Sequence, residues 1–160
     1  MELKKLMKDF VAAVGLDGCT PDGNGVYGLL IDGMQVSAFE TDRGCVALLA
    51  DVGEPPLNGV EARERLYQTL LGAMHLGRGS ANTSFSINED TGMICIHRLE
   101  ALAALDVEGF KELLGHFVDT LAEWRKIVAA FSSVAEKMAA EEVERRQTAR
   151  DVAAGDFIQV

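Results

Sequence analysis

Two connections in the first third of the chain are too short to carry anything but antiparallel neighbours. Asp32-Gly33 and Thr41-Asp42-Arg43-Gly44 separate three strand-like runs, Val26 to Ile31, Met34 to Glu40 and Cys45 to Val52. Links this short close hairpins, whereas a parallel return needs a crossover of about a dozen residues or more. The segment is therefore read as an antiparallel meander. Both of its faces are partly apolar: Tyr27, Leu29 and Ile31 alternate with Val26 and Leu30, and the third run is apolar almost throughout. One layer of helices cannot cover two such faces.

Helices flank this meander. Leu3, Leu6, Met7, Phe10, Val11 and Val14 recur at steps of three and four and predict an amphipathic helix ending near Gly15. After Gly53-Glu54-Pro55-Pro56, Asn58 and Glu61 stand at the spacing of a capping box and predict a helix from about Gly59 to Leu76. Asp106 is a good N-cap for a third helix. Its stripe of Phe110, Leu113, Leu114, Phe117, Val118, Leu121, Trp124, Ile127, Val128 and Phe131 is the strongest periodic signal in the chain. Past Ser132-Ser133 the sequence stays helix-prone but turns charged and Ala-rich, which predicts an extra C-terminal helix and then a tail. The stretch of 160 residues divides accordingly into one α+β domain over 1–131, with an antiparallel sheet, and a helical extension over 132–160.

Composition narrows the function classes. With 25 acidic and 15 basic side chains the formal charge is -10, which repels phosphate backbones and anionic lipid surfaces, so neither nucleic acid nor membrane is expected as a partner. No apolar run approaches the roughly 18 to 20 residues of a membrane helix. The first residues lack the apolar core and cleavage site of a secretory signal, and a cytoplasmic location is expected. The three cysteines form no CxxC pair and their odd number does not close a disulfide framework.

Few residues invite a chemical reading. The stretch SFSINEDTGMICIHRL is a hairpin, with Asn88 to Gly92 as its loop, and it sets Cys95 and His97 on one strand face. Their Cβ atoms would stand about 6 to 7 Å apart with no orienting acid indicated, so a half-buried sheet position is the better reading than a nucleophile and its base. Asp22-Gly23-Asn24 resembles part of a calcium loop, but Val26 stands where the next oxygen ligand belongs, which leaves a turn. Gly77-Arg78-Gly79 follows a predicted helix rather than a strand and reads as a flexible linker. His75, His97 and His116 are scattered singly. No catalytic residue, metal site or cofactor is expected. What remains is apolar surface: two-sided strands and two apolar-striped helices hold more than one small monomer hides, so some of it should meet another chain.

The order helix, three strands, helix, two strands, helix resembles the class I type III secretion chaperones, the Tir-chaperone family. The stretches that carry it are LKKLMKDFVAAVGL, GVYGLLIDGMQVSAF, ERLYQTLLGAM and SFSINEDTGMICIHRLEALAALDVEGFKELLGHFVDTLAEW, together spanning about Leu3 to Phe131. The resemblance implies a compact sandwich that pairs as a homodimer through its second helix, with Leu66, Tyr67, Leu70, Leu71 and Met74 at or near the interface. It also implies a bacterial cytoplasmic chaperone whose partner is the N-terminal segment of a secreted effector, bound in extended form and kept soluble for export without ATP or cofactor. Grooves between the first helix and the sheet would receive the client, with Leu6, Phe10, Leu29, Ile31 and Val36 as candidate lining, and an added client strand could extend the sheet. The extension from Ser132 to Val160 departs from the family, and Phe157, Ile158 and Val160 are candidates to occupy the groove. Two other readings remain open, a small dimeric adaptor that binds a folded partner and a minor enzyme built on Cys95 or an acidic pair.

Overall fold

The computed structural model describes residues 2–15 and 18–155, with side chains described as far as Gln147. The tail residues Phe157, Ile158 and Val160 lie outside the described residues. The elements follow the expected order: α1 (Leu3–Ala13), β1 (Tyr27–Ile31), β2 (Met34–Glu40), β3 (Cys45–Gly53), α2 (Val60–Met74), β4 (Ser84–Ile87), β5 (Ile94–Ala101) and α3 (Val107–Gly155). The five strands form one antiparallel sheet in the order β1-β2-β3-β5-β4, so β1 and β4 are its edges.

Local chemistry explains most of the boundaries. Asp32 and Gly33 both take positive φ, 49° and 76°, the mirror-image turn whose twist suits a two-residue hairpin. The β4–β5 loop is closed by Asn88, whose side-chain oxygen accepts from the backbone N–H of Asp90 and Thr91 at 3.0 and 3.3 Å. The Asp22 carboxylate accepts from the N–H groups of Asn24 and Val26 at 2.8 and 2.9 Å. That segment is a turn knitted to its own backbone. Asp106 caps α3 as expected, accepting from Gly109 N–H at 2.8 Å.

The start of α2 differs from expectation. Gly59, at φ 85°, holds the cap position and no side chain caps the helix, so the box of Asn58 and Glu61 does not form. The chain turns one residue later than the sequence suggests, and Asn58 is displaced from the place where its side chain reaches the first free N–H groups. Gly77 to Ser80 is pinned as well as turned: Gly79 N–H donates to Ala73 O at 3.1 Å, Trp124 Nε1 donates to Gly79 O at 3.2 Å, and Ser80 is buried. The residues after Ser132-Ser133 are helical as expected, but as a direct continuation of α3 rather than as a separate helix. The Ser132 hydroxyl donates to Glu54 O at 3.4 Å.

The core lies between one sheet face and the helices. Tyr27, Leu29, Val36, Ala38, Val46, Leu48, Ala50, Val52, Ile94 and Ile96 point to that face and pack with α1 and with the first half of α3. Phe10 meets Phe110 edge to face at 5.1 Å, and Phe85 meets Trp124 at 4.7 Å. The α1 start is tied to β2, where Leu3 N–H donates to Glu40 Oε2 at 3.0 Å. α2 runs along α3, with Leu66 and Leu70 turned into the same core.

Candidate protein-binding surfaces

The chemical candidate is quickly described. Cys95 is buried, and its Sγ donates across the ladder to Asp51 Oδ1 at 3.2 Å. The pairing of Asp51 with Cys95 in register makes this contact, which joins residues too far apart in the chain for local patterning to link them. Burial, with the Asp51 carboxylate beside it, pushes the thiol up to about 11. A nucleophilic cysteine needs the opposite environment, one that favours thiolate. Among the described residues no three His, Cys, Asp or Glu side chains gather as a metal site, and no helix is long and apolar enough to cross a membrane.

The residues proposed for the client groove occupy the core itself. Leu6, Phe10, Leu29 and Val36 are buried, with Leu6 and Val36 fully closed off from solvent. α1 covers the sheet so closely at this point that these side chains line the domain interior rather than an open channel. Ile31 alone of the five stands at the rim, partly buried beside Met34.

The dimer candidates on α2 divide between two faces. Leu66 and Leu70 are buried in the chain's own core, so they offer no surface. Met74 is half-buried, its Sδ accepting from Phe85 N–H at 3.2 Å. Tyr67 straddles core and surface, and Leu71 is 65% exposed. Val60, 62% exposed, was not among the candidates, yet it falls on the same helical line as Tyr67 and Leu71. Steps of seven and four from Val60 carry that signal in the sequence.

The sheet face turned away from the helices is the second uncovered surface. It carries Leu30, Phe39, Leu49 and Leu99, with Ala47 and Cys95 closed beneath their neighbours, and none of these six belongs to the core cluster. Phe39, Ala47 and Leu99 stand opposite one another across β2, β3 and β5, and Leu49 lies beside His97. The out-of-phase apolar residues of the meander were the available clue. At both ends of this surface a strand edge, β1 or β4, has no neighbouring strand among the described residues.

A family model described as the Tir chaperone protein (CesT) family matches residues 5–125. A chain of the HopA1–SchA chaperone–effector complex superposes with a TM-score of 0.64 at 17% identity, covering 78% of this chain and 93% of that one. A chain of the ExsC–ExsE complex gives 0.64 at 22% identity, covering 80% and 97%. A chain of the heterodimeric ExoU–SpcU complex from the type III secretion system of Pseudomonas aeruginosa gives 0.56 at 17% identity, covering 81% and 97%. These likenesses are to the fold. No curated protein matches the chain.

Proposed function

The chain belongs to the Tir chaperone (CesT) family, and from that premise we propose that it is a homodimeric secretion chaperone of the bacterial cytoplasm. It binds the N-terminal segment of a type III effector in extended form and keeps it soluble and competent for export. The observation that carries this reading is the uncovered sheet face, where exposed Leu30 and Leu99 and half-buried Phe39 and Leu49 stand among polar residues between two open strand edges. An extended peptide adds to such an edge by backbone hydrogen bonds and places alternate side chains on the face. Ile31 at the rim of β1 lies where a segment passing from that edge toward α1 would touch it. The similar HopA1–SchA structure is a chaperone–effector complex and the similar ExoU–SpcU structure comes from a type III secretion system, which supports this assignment.

Binding rather than turnover is its mode of action. Cys95, the nucleophile that the sequence offers, is protonated and buried, and its neighbouring acid holds the proton on sulfur. Dimerisation uses the outer stripe of α2, where Val60, Tyr67 and Leu71 present apolar area to a second copy about a two-fold axis.

Two measurements test the reading. Light scattering of the wild-type protein is expected to give twice the chain mass, and Leu71→Asp a monomer, because an unpaired charge in an apolar seam is costly. An effector N-terminal segment diluted from denaturant is expected to stay soluble with wild-type protein and to precipitate with Leu99→Asp. A protein that captures only folded partners would replace the chaperone by an adaptor.

A further inference from the structure

The two edges of the sheet are open to different degrees. The Asp32-Gly33 turn closes on the pair Ile31 and Met34, so Tyr27, Leu29 and Ile31 bond to β2, while Val26, Gly28 and Leu30 turn their N–H and C=O groups outward. Asp22 takes both groups of Val26, its carboxylate accepting from the N–H at 2.9 Å and its own N–H donating to the carbonyl at 2.9 Å. Gly28 O is met only by the Cys19 thiol, at 3.9 Å, a weak donor that a backbone N–H displaces. Gly28 N–H and both groups of Leu30 have no partner among the described residues.

On β4 the bond from Asn88 N–H to Met93 O sets the phase, and Phe85 and Ile87 are the residues turned outward. Met74 Sδ already accepts from Phe85 N–H at 3.2 Å. The side chains that β4 places on the outer face are Ser84 and Ser86, which give an added strand no apolar contact.

The outer face beside β1 is built differently. Leu30 is exposed there, and Gly28 leaves a hollow next to it, since nothing lies within 4 Å of the point where a side chain on Gly28 would begin. Across the hollow stand Ser37 on β2 and Leu49 on β3. A bulky ring on a neighbouring strand covers a glycine of this kind. Exposed Asp22 and Asp32 bracket the strand, and neither makes an ion pair among the described residues.

We propose that β1 is the edge that takes the client strand and that Gly28 is the position that selects it. The inference rests on the chaperone reading above and gives the client segment a chemistry. That segment is extended, carries a large apolar or aromatic side chain opposite Gly28 and a second one two residues away beside Leu30, and has basic residues at its ends to meet Asp22 and Asp32. One of its N–H groups replaces the Cys19 thiol on Gly28 O, and its other backbone groups pair with Gly28 N–H and with Leu30.

Fluorescence anisotropy on the full chain tests this with a labelled peptide of about nine residues, phenylalanine alternating with threonine between lysine ends. Leu30→Pro removes an edge donor without touching the ladder to β2 and is expected to weaken binding by about tenfold or more. Ile87→Pro, its equivalent on β4, is expected to stay within about twofold of wild type. Gly28→Val fills the hollow with a residue that favours strands, so a loss of about fivefold or more is expected with no fall in thermal stability. This variant decides the matter if Leu30→Pro fails to fold. A peptide with alanine in place of phenylalanine should bind about tenfold more weakly, and so should one with glutamate ends at low salt. Binding that survives Leu30→Pro, or that falls as far with Ile87→Pro, overturns the choice of edge, and wild-type affinity in Gly28→Val overturns the seat. A wild-type chain that keeps an effector segment soluble yet ignores the peptide overturns this edge chemistry and leaves the chaperone reading standing. One that does neither overturns both.

Discussion

Both faces of the sheet carry large apolar side chains, and the fates of those side chains differ. On one, Val36, Val46, Leu48 and Ile96 lose all contact with solvent under α1 and α3. On the other, Leu30 remains 77% exposed and Leu99 58%, and only small residues such as Ala47 and Cys95 are closed off. Residue type separates the faces only in part, since Gln35, Ser37, Asp51, His97, Ser84 and Ser86 share the outer face with its apolar side chains; the position of the helices does the rest. The chain has helices enough for a single layer, and the hydrophobic pull is spent where they lie. The remaining face mixes open leucines with polar side chains such as Gln35, Ser37 and His97, and exposed apolar residues of that kind mark a place where another chain docks.

The difference should be sharpest in stability. Leu48→Ala on β3 removes a fully enclosed side chain and is expected to cost about 2 to 5 kcal/mol, readable as a fall in the denaturant midpoint. Leu99→Ala on the outer face should cost about 0.5 kcal/mol or less. Equal losses at the two sites would mean that something already covers the outer face. Binding should reverse the order, with Leu99→Asp abolishing effector solubilisation while the folded domain persists.

A smaller effect probes the closed patch on the outer face. Cys95 should be labelled slowly at pH 8 by a thiol reagent, with the rate climbing as pH rises toward about 11, because the raised pKa leaves little thiolate below that value. Asp51→Asn removes the carboxylate that holds the proton, so labelling at pH 8 should quicken. No change on that substitution would assign the slowness to burial alone.

Much of the fold is legible in the residues themselves. The Asp32-Gly33 turn, the Asp106 cap and the stripe from Phe110 to Phe131 act within a few residues of one another, and local chemistry decides them. The candidate surfaces were harder to read. Leu6, Phe10, Leu29 and Val36 are apolar and lie in the matching elements, but those are the criteria of a core as much as of a groove. Likewise Leu66 and Leu70 share the apolar side of α2 with Tyr67, and only packing against α3 turned them inward. The capping box at Asn58 failed for a related reason, since the entry of the chain into α2 is set by the turn at Gly59.

By itself the sequence determined the element order, the antiparallel hairpins, the acidic surface and the absence of any clustered catalytic motif, because spacing, turn chemistry and charge are properties of neighbours along the chain. Tertiary structure alone decided which face of each apolar element is buried, that Asp51 meets Cys95, and that the residues after Ser132 prolong α3 past the end of α2. Those outcomes depend on contacts between residues distant in sequence, and a two-sided apolar strand looks the same in the sequence whichever side the helices take.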